Sequence, residues 1–308
     1  MGSYIFKRII AGIVTMFFLT TITFFLMHAV PGGPFSPSEQ RNVPKSVLEK
    51  VEEKYGLNDP LYVQYGNYLK NLVRGDFGIS FKQADINVND LIKQGFPISA
   101  KVGIMAIFAA LLIGIPLGII SAVKRGKWAD WLSMIIATIG ISIPNFVIAV
   151  LLLFLFSVVL KVLPSFGLSS WEHYILPVIG LAFYPIAYIA RLMRSSMLEV
   201  MRQDYIRTAR SKGVHELSVI SKHALKNAII PVVTYLGPLV AILLTGSFVI
   251  ERIFSIPGIG RDFVTGISDR DYSVILGMTV FFGALIIISN LIVDIFYAVI
   301  DRRVKINE

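Results

Sequence analysis

The sequence predicts an all-α, polytopic membrane protein with six transmembrane helices. Hydrophobic residues make up 55% of the 308-residue chain and charged residues only 16%, whereas soluble proteins carry about 25% charged residues. Six apolar runs approach or exceed the roughly 20 residues that a helix needs to cross the hydrocarbon core. Lysine and arginine collect in alternate connections between these runs, which is the pattern that orients membrane helices.

The six runs are almost free of charge, and the fourth is the shortest. We expect the fourth helix to extend a turn beyond each end. Buried helices of a large soluble protein are the alternative, but soluble cores do not supply six uncharged runs of this length. The runs are residues 9–30, 102–123, 132–160, 174–190, 228–250 and 272–293.

The first run resembles a signal peptide in one respect, because Lys7 and Arg8 precede it. It is too long for the apolar part of such a peptide, and the Pro- and Gly-rich residues 31–34 stand where a small-residue cleavage site would lie. We therefore expect an uncleaved first span.

The basic residues place both termini in the cytoplasm. With the N-terminus inside, the inside segments hold 16 lysines and arginines and the short outside loops hold four. Residues 31–96, the long outside segment, carry eight basic and eight acidic residues, and long segments cross regardless of charge. The net charge of +9 is largely a topology signal, so nucleic acid is not an expected partner.

The predicted organisation has three parts. Residues 1–30 form the N-terminus and first span, residues 31–96 an extracytoplasmic cap with short helices, and residues 97–308 a five-helix core. In the cap, Pro44 opens a helix that Gly56 stops, and a second helix, capped by Asn58-Asp59-Pro60, ends at Gly75. The cap either covers the external mouth or docks an external partner, and composition leaves both open. The apolar face of the second helix comprises Leu61, Tyr65, Tyr68, Leu69 and Leu72.

The most basic inside loop, residues 197–229, is predicted to be a helix–glycine–helix element. Residues 197–212 contain good helix formers, Gly213 is a natural left-handed stop, and a second helix runs from His215 to about Asn227. Such an element can carry force from a soluble motor to the spans. The alternative is an ordinary positive-inside loop near lipid phosphates. The exposed cations that would pair with an acidic groove on a motor are Arg202, Arg207, Arg210 and Lys212.

Polar residues within the apolar runs are candidates for a translocation pathway, because buried polar groups in membranes usually face a cavity or a partner. Interhelical hydrogen bonding is the simpler explanation. His28 lies near an outer membrane edge and is expected to be interfacial rather than a ligand. The candidates are Asn145, which follows Pro144, and Tyr184, Tyr188, Asn290 and Asp294.

Several chemistries are excluded or disfavoured by residue content. The chain has no cysteine and four histidines, which argues against a dedicated transition-metal site, and no metal ligands are assigned. No paired nucleophile and base lies in the spans, which argues against an intramembrane enzyme, so no catalytic residue is assigned. No phosphate-binding Gly-x4-Gly-Lys-Ser/Thr loop is present, so ATP chemistry must belong to a partner.

Four stretches in order resemble those of the B-type membrane subunit of oligopeptide, dipeptide and nickel ABC importers. In the loop, Arg207 and Thr208 stand where the general permease pattern has Glu and Ala, and Lys226 replaces the usual Pro, as in peptide-type importers. The stretches are Tyr55-Gly56-Leu57 with Pro60, Gln64-Tyr65, Gly75-Asp76, Gly78 and Ser80; Asp204–Gly213; His223–Asn227 with Pro231; and Glu251, Phe254, Pro257-Gly258 and Gly260-Arg261.

The resemblance covers nearly the whole chain and implies a type I-like ABC importer permease fold in a bacterial or archaeal cytoplasmic membrane. It implies a second permease, two ATPase subunits that bind ATP and magnesium, and an external substrate-binding protein. It implies contact with the ATPases at Asp204, Arg207, Thr208, Ala209, Arg210, Lys212, Gly213, His215 and Glu216. Candidate residues for docking the binding protein are Tyr55, Leu57, Tyr65, Asp76 and Phe77.

The function expected from the resemblance is ATP-driven import of dipeptides or oligopeptides by alternating access. An ion-driven secondary transporter or channel is the alternative; it would require internal repeats and ion ligands at mid-membrane. No repeat is evident, and Asp294 is the one plausible coupling acid. The substrate stays open among dipeptide, longer peptide, nickel chelate, glutathione and oligosaccharide.

Overall fold

The computed structural model describes residues 2–29, 56–83 and 86–300, with side chains described for residues 6–29, 56–83 and 86–292. These residues are predominantly helical. The β structure found among them is one isolated bridge between Ile79 and Asn87. The helices are α1 (Gly2–Ala29), α2 (Leu61–Val73), α3 (Val88–Val123), α4 (Trp128–Ser142), α5 (Asn145–Val159), α6 (Trp171–Val200), α7 (Asp204–Ser211), α8 (Glu216–Ala228), α9 (Ile230–Leu244), α10 (Phe248–Ile253), α11 (Ile259–Asp269) and α12 (Tyr272–Ile300).

Each of the six apolar runs forms helix. Four helices, namely α1, α3, α6 and α12, are each long and apolar enough to cross a membrane. Two further pairs, α4 with α5 and α8 with α9, pass the same test together although each pair is bent. The number of spans is six if each bent pair is counted as one span. Helix α6 begins at Trp171 and ends at Val200, so it extends beyond both ends of the predicted run.

The third run is sharply broken, with α4 and α5 meeting at 109°. The break falls at Pro144, which has no N–H to donate and disfavours helical geometry in the residue before it. Ile143 accordingly adopts an extended conformation, with φ −93° and ψ 129°. The turn is much larger than a gentle bend of one continuous helix.

Helix α6 lies at the centre of the bundle, and small residues let its neighbours approach closely. A Cβ atom on Gly118 of α3 would lie 2.6 Å from the carbonyl oxygen of Ala190, and one on Gly140 of α4 would lie 2.6 Å from Cβ of Ala187. Membrane helices associate through such close backbone approaches, because burying apolar surface gives no advantage within lipid. The packing therefore joins α3, α4 and α6.

The cap and the core share a helix. Helix α3 runs unbroken from Val88 to Val123 with Pro97 inside it, so the boundary predicted between residues 96 and 97 falls within a helix. The second predicted cap helix is confirmed as α2, which follows Pro60 and precedes Gly75, whose φ is +77°. The first predicted cap helix lies outside the described residues.

The inside loop differs from prediction in one respect. The prediction of a single helix over residues 197–212 was wrong. Helix α6 ends at Val200, residues 201–203 form a turn, and α7 begins at Asp204. The turn lets α7 fold back so that Ile206 and Ala209 are buried, at 0% and 7% exposure, against the core. Tertiary burial here overrides helix propensity.

The glycine stop and the second loop helix are confirmed. Gly213 has φ +75°, and Nδ1 of His215 accepts a hydrogen bond from the backbone N–H of Leu217 at the start of α8.

Candidate functional site

The loop between α6 and α9 is clipped by an ion pair across its glycine turn. Arg210 donates from Nε to Oε2 of Glu216 at 3.1 Å and from Nη2 to Oε1 at 2.7 Å. This two-pronged geometry fixes the relative orientation of α7 and α8. Arg210, which was expected to face an acidic partner, is therefore already paired within the loop.

A second tie joins the far ends of the same two helices. Nδ2 of Asn227, near the end of α8, donates to the hydroxyl oxygen of Tyr205, near the start of α7, at 2.8 Å. Together with the ion pair, this bond closes the two helices into one unit. Sequence reasoning assigned no role to Tyr205 or Asn227, because the 22-residue separation of the partners is not a local pattern.

The outward surface of this unit is basic and also carries an exposed leucine side chain. Arg207 lies 3.7 Å from Asp204, but both side chains are largely exposed, so the pair contributes little. Thr208 donates to the backbone oxygen of Asp204. Leu217 is 69% exposed on α8 and was missed by sequence reasoning. The exposed members of the predicted coupling set are Asp204, Arg207, Thr208, Arg210, Lys212, Gly213, His215 and Glu216, whereas Ala209 is buried.

A buried ion pair ties three helices together near this loop. Arg194 on α6 donates from Nε and Nη2 to the two carboxylate oxygens of Asp130 on α4, at 2.7 and 2.9 Å. The hydroxyl of Ser121 on α3 and the N–H of Gly126 also donate to Asp130, which is only 5% exposed. Sequence reasoning missed this cluster, because its members come from three different helices and Asp130 and Arg194 are 64 positions apart.

A second buried carboxylate lies at the opposite end of α3. Glu251 of α10 is 3% exposed and accepts hydrogen bonds from the hydroxyl of Ser99 at 2.7 Å and from the N–H of Arg261 at 3.0 Å. Ser99 in turn accepts from the N–H of Ile259 at 3.0 Å. Burial raises the pKa of the Glu251 carboxyl, and its hydrogen bonds act in the opposite direction. The network joins α3, α10 and α11.

Glycine is required around Glu251 for steric reasons. A Cβ atom on Gly258 would lie 2.5 Å from both the carboxyl carbon of Glu251 and the hydroxyl oxygen of Ser99. Gly246 has φ +79°, and a Cβ there would lie 2.5 Å from a Glu251 oxygen. The Pro-Gly and Gly-Arg stretches singled out in the sequence thus enclose this carboxylate.

A third buried carboxylate ties the cap to the last helix. Asp271, which is 2% exposed and precedes α12, accepts hydrogen bonds from the hydroxyl of Ser80 and from the backbone N–H of Phe81 and Lys82. It also accepts from the N–H of Val274 in the first turn of α12. The cap segment is therefore fixed to the start of α12.

The described residues of the predicted docking set face their own chain. The hydroxyl groups of Tyr65 and Thr21 are hydrogen-bonded at 2.6 Å, and the Tyr65 ring packs on α1. Asp76 accepts from the N–H of Gly78 at 2.9 Å, and Phe77 packs on Phe281. Leu57 is half-buried and lines a cavity, whereas Tyr55 lies outside the described residues.

Two of the pathway candidates lie together. The rings of Tyr184 and Tyr188 on α6 are stacked at 6.1 Å, and Tyr235 of α9 packs on Tyr188 at 4.4 Å. These three residues are named here the tyrosine cluster. Tyr235 was not predicted, although it is the one tyrosine in the fifth apolar run.

Among the described side chains, no hydrogen bond or ring contact joins Asn145 or Asn290 to the tyrosine cluster. Asn145 is the first residue of α5, directly after the break, and Asn290 is exposed on α12. Asp294 lies on α12, and its side chain is outside the described ones. Among the described residues, no group of three His, Asp or Glu side chains is arranged to hold a metal ion.

Comparison with known proteins accounts for the whole length of the chain. Residues 114–306 match the family described as binding-protein-dependent transport system inner membrane component, and residues 1–102 match the N-terminal region of such membrane components. The chain is 47% identical to the dipeptide transport system permease protein DppB of Bacillus subtilis (strain 168), over 100% of this chain and 99% of that one. It is 45% identical to the oligopeptide permease OppB of Escherichia coli (strain K12), over 99% and 100%.

A solved structure supports the fold independently. The inward-facing MetNI methionine ABC transporter matches with a TM-score of 0.58 and 20% identity, covering 69% of this chain and 97% of that one. At this identity the match concerns the fold alone. The family matches, the full-length relatives and the ABC permease fold agree, and the chain therefore belongs to the family of binding-protein-dependent transport system inner membrane components.

Proposed function

We propose that this chain is a permease subunit of an ATP-driven importer that carries dipeptides or oligopeptides delivered by an external binding protein. The observation that carries the proposal is the clipped α7–α8 unit, which follows directly from the central helix α6. Full-length similarity to chains named as dipeptide and oligopeptide permeases supports the substrate class.

The proposed assembly contains a second related permease, two ATPase subunits and the binding protein. The ATPases bind ATP and magnesium, since this chain has no phosphate-binding loop. Both termini lie in the cytoplasm, as the distribution of basic residues indicates. The α7–α8 unit then faces the ATPases, and α2 and α11 face the binding protein.

Coupling follows from the ties within the chain. Closure of the ATPases moves the α7–α8 unit, which moves as one piece because its helices are joined at both ends. The motion enters α6 through the short turn at residues 201–203. From α6 it passes to α3 and α4 through the Asp130–Arg194 pair. The spans thereby rock between outward- and inward-facing states.

The tyrosine cluster is the proposed contact with substrate. Tyr184 is 36% exposed, so part of its ring is open to a neighbouring surface. Tyrosine offers a hydroxyl that both donates and accepts, together with an apolar face. This combination suits peptides, whose backbones are constant and whose side chains vary. Asn145, Asn290 and Asp294 remain further candidates for the same pathway.

The test is peptide uptake by the complete complex in proteoliposomes, with ATP hydrolysis measured in parallel. We expect charge reversal at Arg207 and Lys212 to abolish uptake while the complex stays in the membrane. Arg125→Glu, at an exposed cation in the turn between α3 and α4 and outside the α7–α8 unit, is the matched control and should leave uptake unchanged. Unchanged uptake after the loop reversals would refute the coupling role. Uptake driven by an ion gradient without ATP would refute the importer class.

A further inference from the structure

A cavity of about 270 Å³ lies where α2 packs over the ends of α1 and α12. It is separate from the tyrosine cluster and shares no lining residue with it. Its size is near the lower end of the range for small-molecule sites, roughly 300–1,000 Å³. The cavity can therefore hold a small molecule or the end of a larger one. Its walls come from α1, residues 56–59, α2, residues 76–81 and the first turns of α12.

Among the described residues, two tyrosine hydroxyl groups on the cavity wall find no hydrogen-bond partner. Tyr272 of α12 is 4% exposed, and its hydroxyl is buried and unpaired. The hydroxyl of Tyr68 on α2 is also buried and unpaired. An unsatisfied buried hydroxyl is destabilising, because it has lost its hydrogen bonds to water. A polar group bound in the cavity would satisfy both hydroxyls.

The charge of the wall is negative. Asp59 and Asp76 line the cavity, and within the described residues neither carboxylate forms an ion pair with a lysine or arginine. One oxygen of Asp76 accepts from the N–H of Gly78, which leaves the other available. The amide side chains of Asn67 and Asn71 also line the wall. Carboxylates and aromatic faces together favour a cation.

His28 belongs to the frame of the cavity rather than to its binding groups. Its Nδ1 lies 2.8 Å from the carbonyl oxygen of Phe24, and its Nε2 lies 3.3 Å from Oε1 of Gln64. The orientation of the Gln64 amide is set by its donation from Nε2 to the carbonyl oxygens of Leu57 and Asp59. Both ring nitrogens of His28 are thus engaged.

We propose that this cavity binds a primary ammonium group, held by the hydroxyls of Tyr68 and Tyr272 and by the carboxylates of Asp59 and Asp76. The ammonium donates hydrogen bonds to these oxygens, and the aromatic rings enclose it. Two sources carry this group: a soluble amine such as the N-terminus of a short peptide, and the ethanolamine headgroup of a phospholipid. The proposal is independent of the transport function.

The primary experiment measures ethanolamine binding to the full-length chain in phosphatidylglycerol nanodiscs by ligand-observed NMR. We expect saturable binding, and binding of N-acetylethanolamine at least about tenfold weaker, because acetylation removes the charge. Tyr272→Phe should weaken ethanolamine binding about tenfold without lowering the melting temperature of the free protein, since the lost hydroxyl had no partner. Tyr62→Phe, at a 76% exposed position of the same helix as Tyr68, is the control and should change neither quantity.

Two competition arms identify the source. Displacement of ethanolamine by phosphatidylethanolamine in the nanodisc indicates the lipid, and displacement by alanyl-alanine indicates a soluble peptide. If neither compound displaces ethanolamine, the proposal is overturned. It is also overturned if ethanolamine binding does not saturate, if N-acetylethanolamine binds equally well, or if Tyr272→Phe leaves the affinity unchanged. If that variant does not fold, Tyr68→Phe provides the same comparison.

Discussion

Replacing Arg194 with methionine would leave the carboxylate of Asp130 buried without its cation. Asp130 has a side-chain exposure of only 6%, so water cannot take the place of the guanidinium. Removing one partner of a buried pair costs about 3–5 kcal/mol. The hydrogen bonds from Ser121 and Gly126 remain, but these donors are neutral and do not replace the positive charge of the guanidinium. We therefore expect Arg194→Met to lose stability near the upper end of that range.

The reciprocal change, Asp130→Asn, should be milder. The Arg194 side chain is 26% exposed, so its guanidinium can recover part of its hydration. We expect a loss of about 3 kcal/mol, at the lower end of the range. Exchanging the two residues should not restore stability, because Ser121 and Gly126 both donate toward position 130 and require an acceptor there.

The assay is the free energy of unfolding from SDS titration in mixed micelles, followed by tryptophan fluorescence. Asp90→Asn, at an exposed position of α3, is the control and should stay within about 0.5 kcal/mol of the parent chain. Equal losses for the two single variants would refute the argument from burial. Recovery in the exchanged chain would refute the argument from the surrounding donors.

The remaining predictions use the same titration. Arg210→Glu should lower the free energy of unfolding by only about 0.5 kcal/mol, because the Arg210–Glu216 pair is exposed. Combining it with Glu216→Arg restores an ion pair and should recover the loss. A double variant that stays as unstable as Arg210→Glu would contradict the role of this ion pair. Gly258→Ala should lower the free energy of unfolding by about 1–3 kcal/mol, because its Cβ would lie 2.5 Å from the Glu251 carboxyl carbon. Gly66→Ala is the control: it has open space around it and should not lower the free energy of unfolding. The raised pKa of Glu251 means that its protonated form favours the folded state. Stability relative to Glu251→Gln should therefore fall as the pH rises above about 4.3, the unfolded-state pKa, and a pH-independent difference would contradict this.

The sequence was sufficient to predict the long helices and several of the residues at which helices end. Run length and absence of charge predicted all six apolar segments, since crossing the bilayer sets a minimum length. Gly213 was correctly predicted as a left-handed stop, because few other residues adopt that conformation without strain. The helix α2 followed from the spacing of its tyrosines and leucines.

The ties between helices could not be predicted in the same way. Asp130 and Arg194 are 64 positions apart, and Ser99 and Glu251 are 152 apart. No local pattern specifies such partners, which depend on how the helices pack. The same limit applies to Tyr65: its place on an apolar face was evident, but its hydrogen bond to Thr21 of α1, 44 positions away, was not.

The central helix α6 determines how far a small motion reaches. It runs for 30 residues, with Pro185 inside it, which at 1.5 Å per residue is about 45 Å. A tilt of about 5° about one end of a rod this long displaces the other end by about 4 Å, comparable to the rise of three helical residues. Modest rearrangement on one face of the membrane can therefore change the width of an opening on the opposite face by the diameter of a water molecule or more. A break in α6 like the one between α4 and α5 at Pro144 would absorb that displacement.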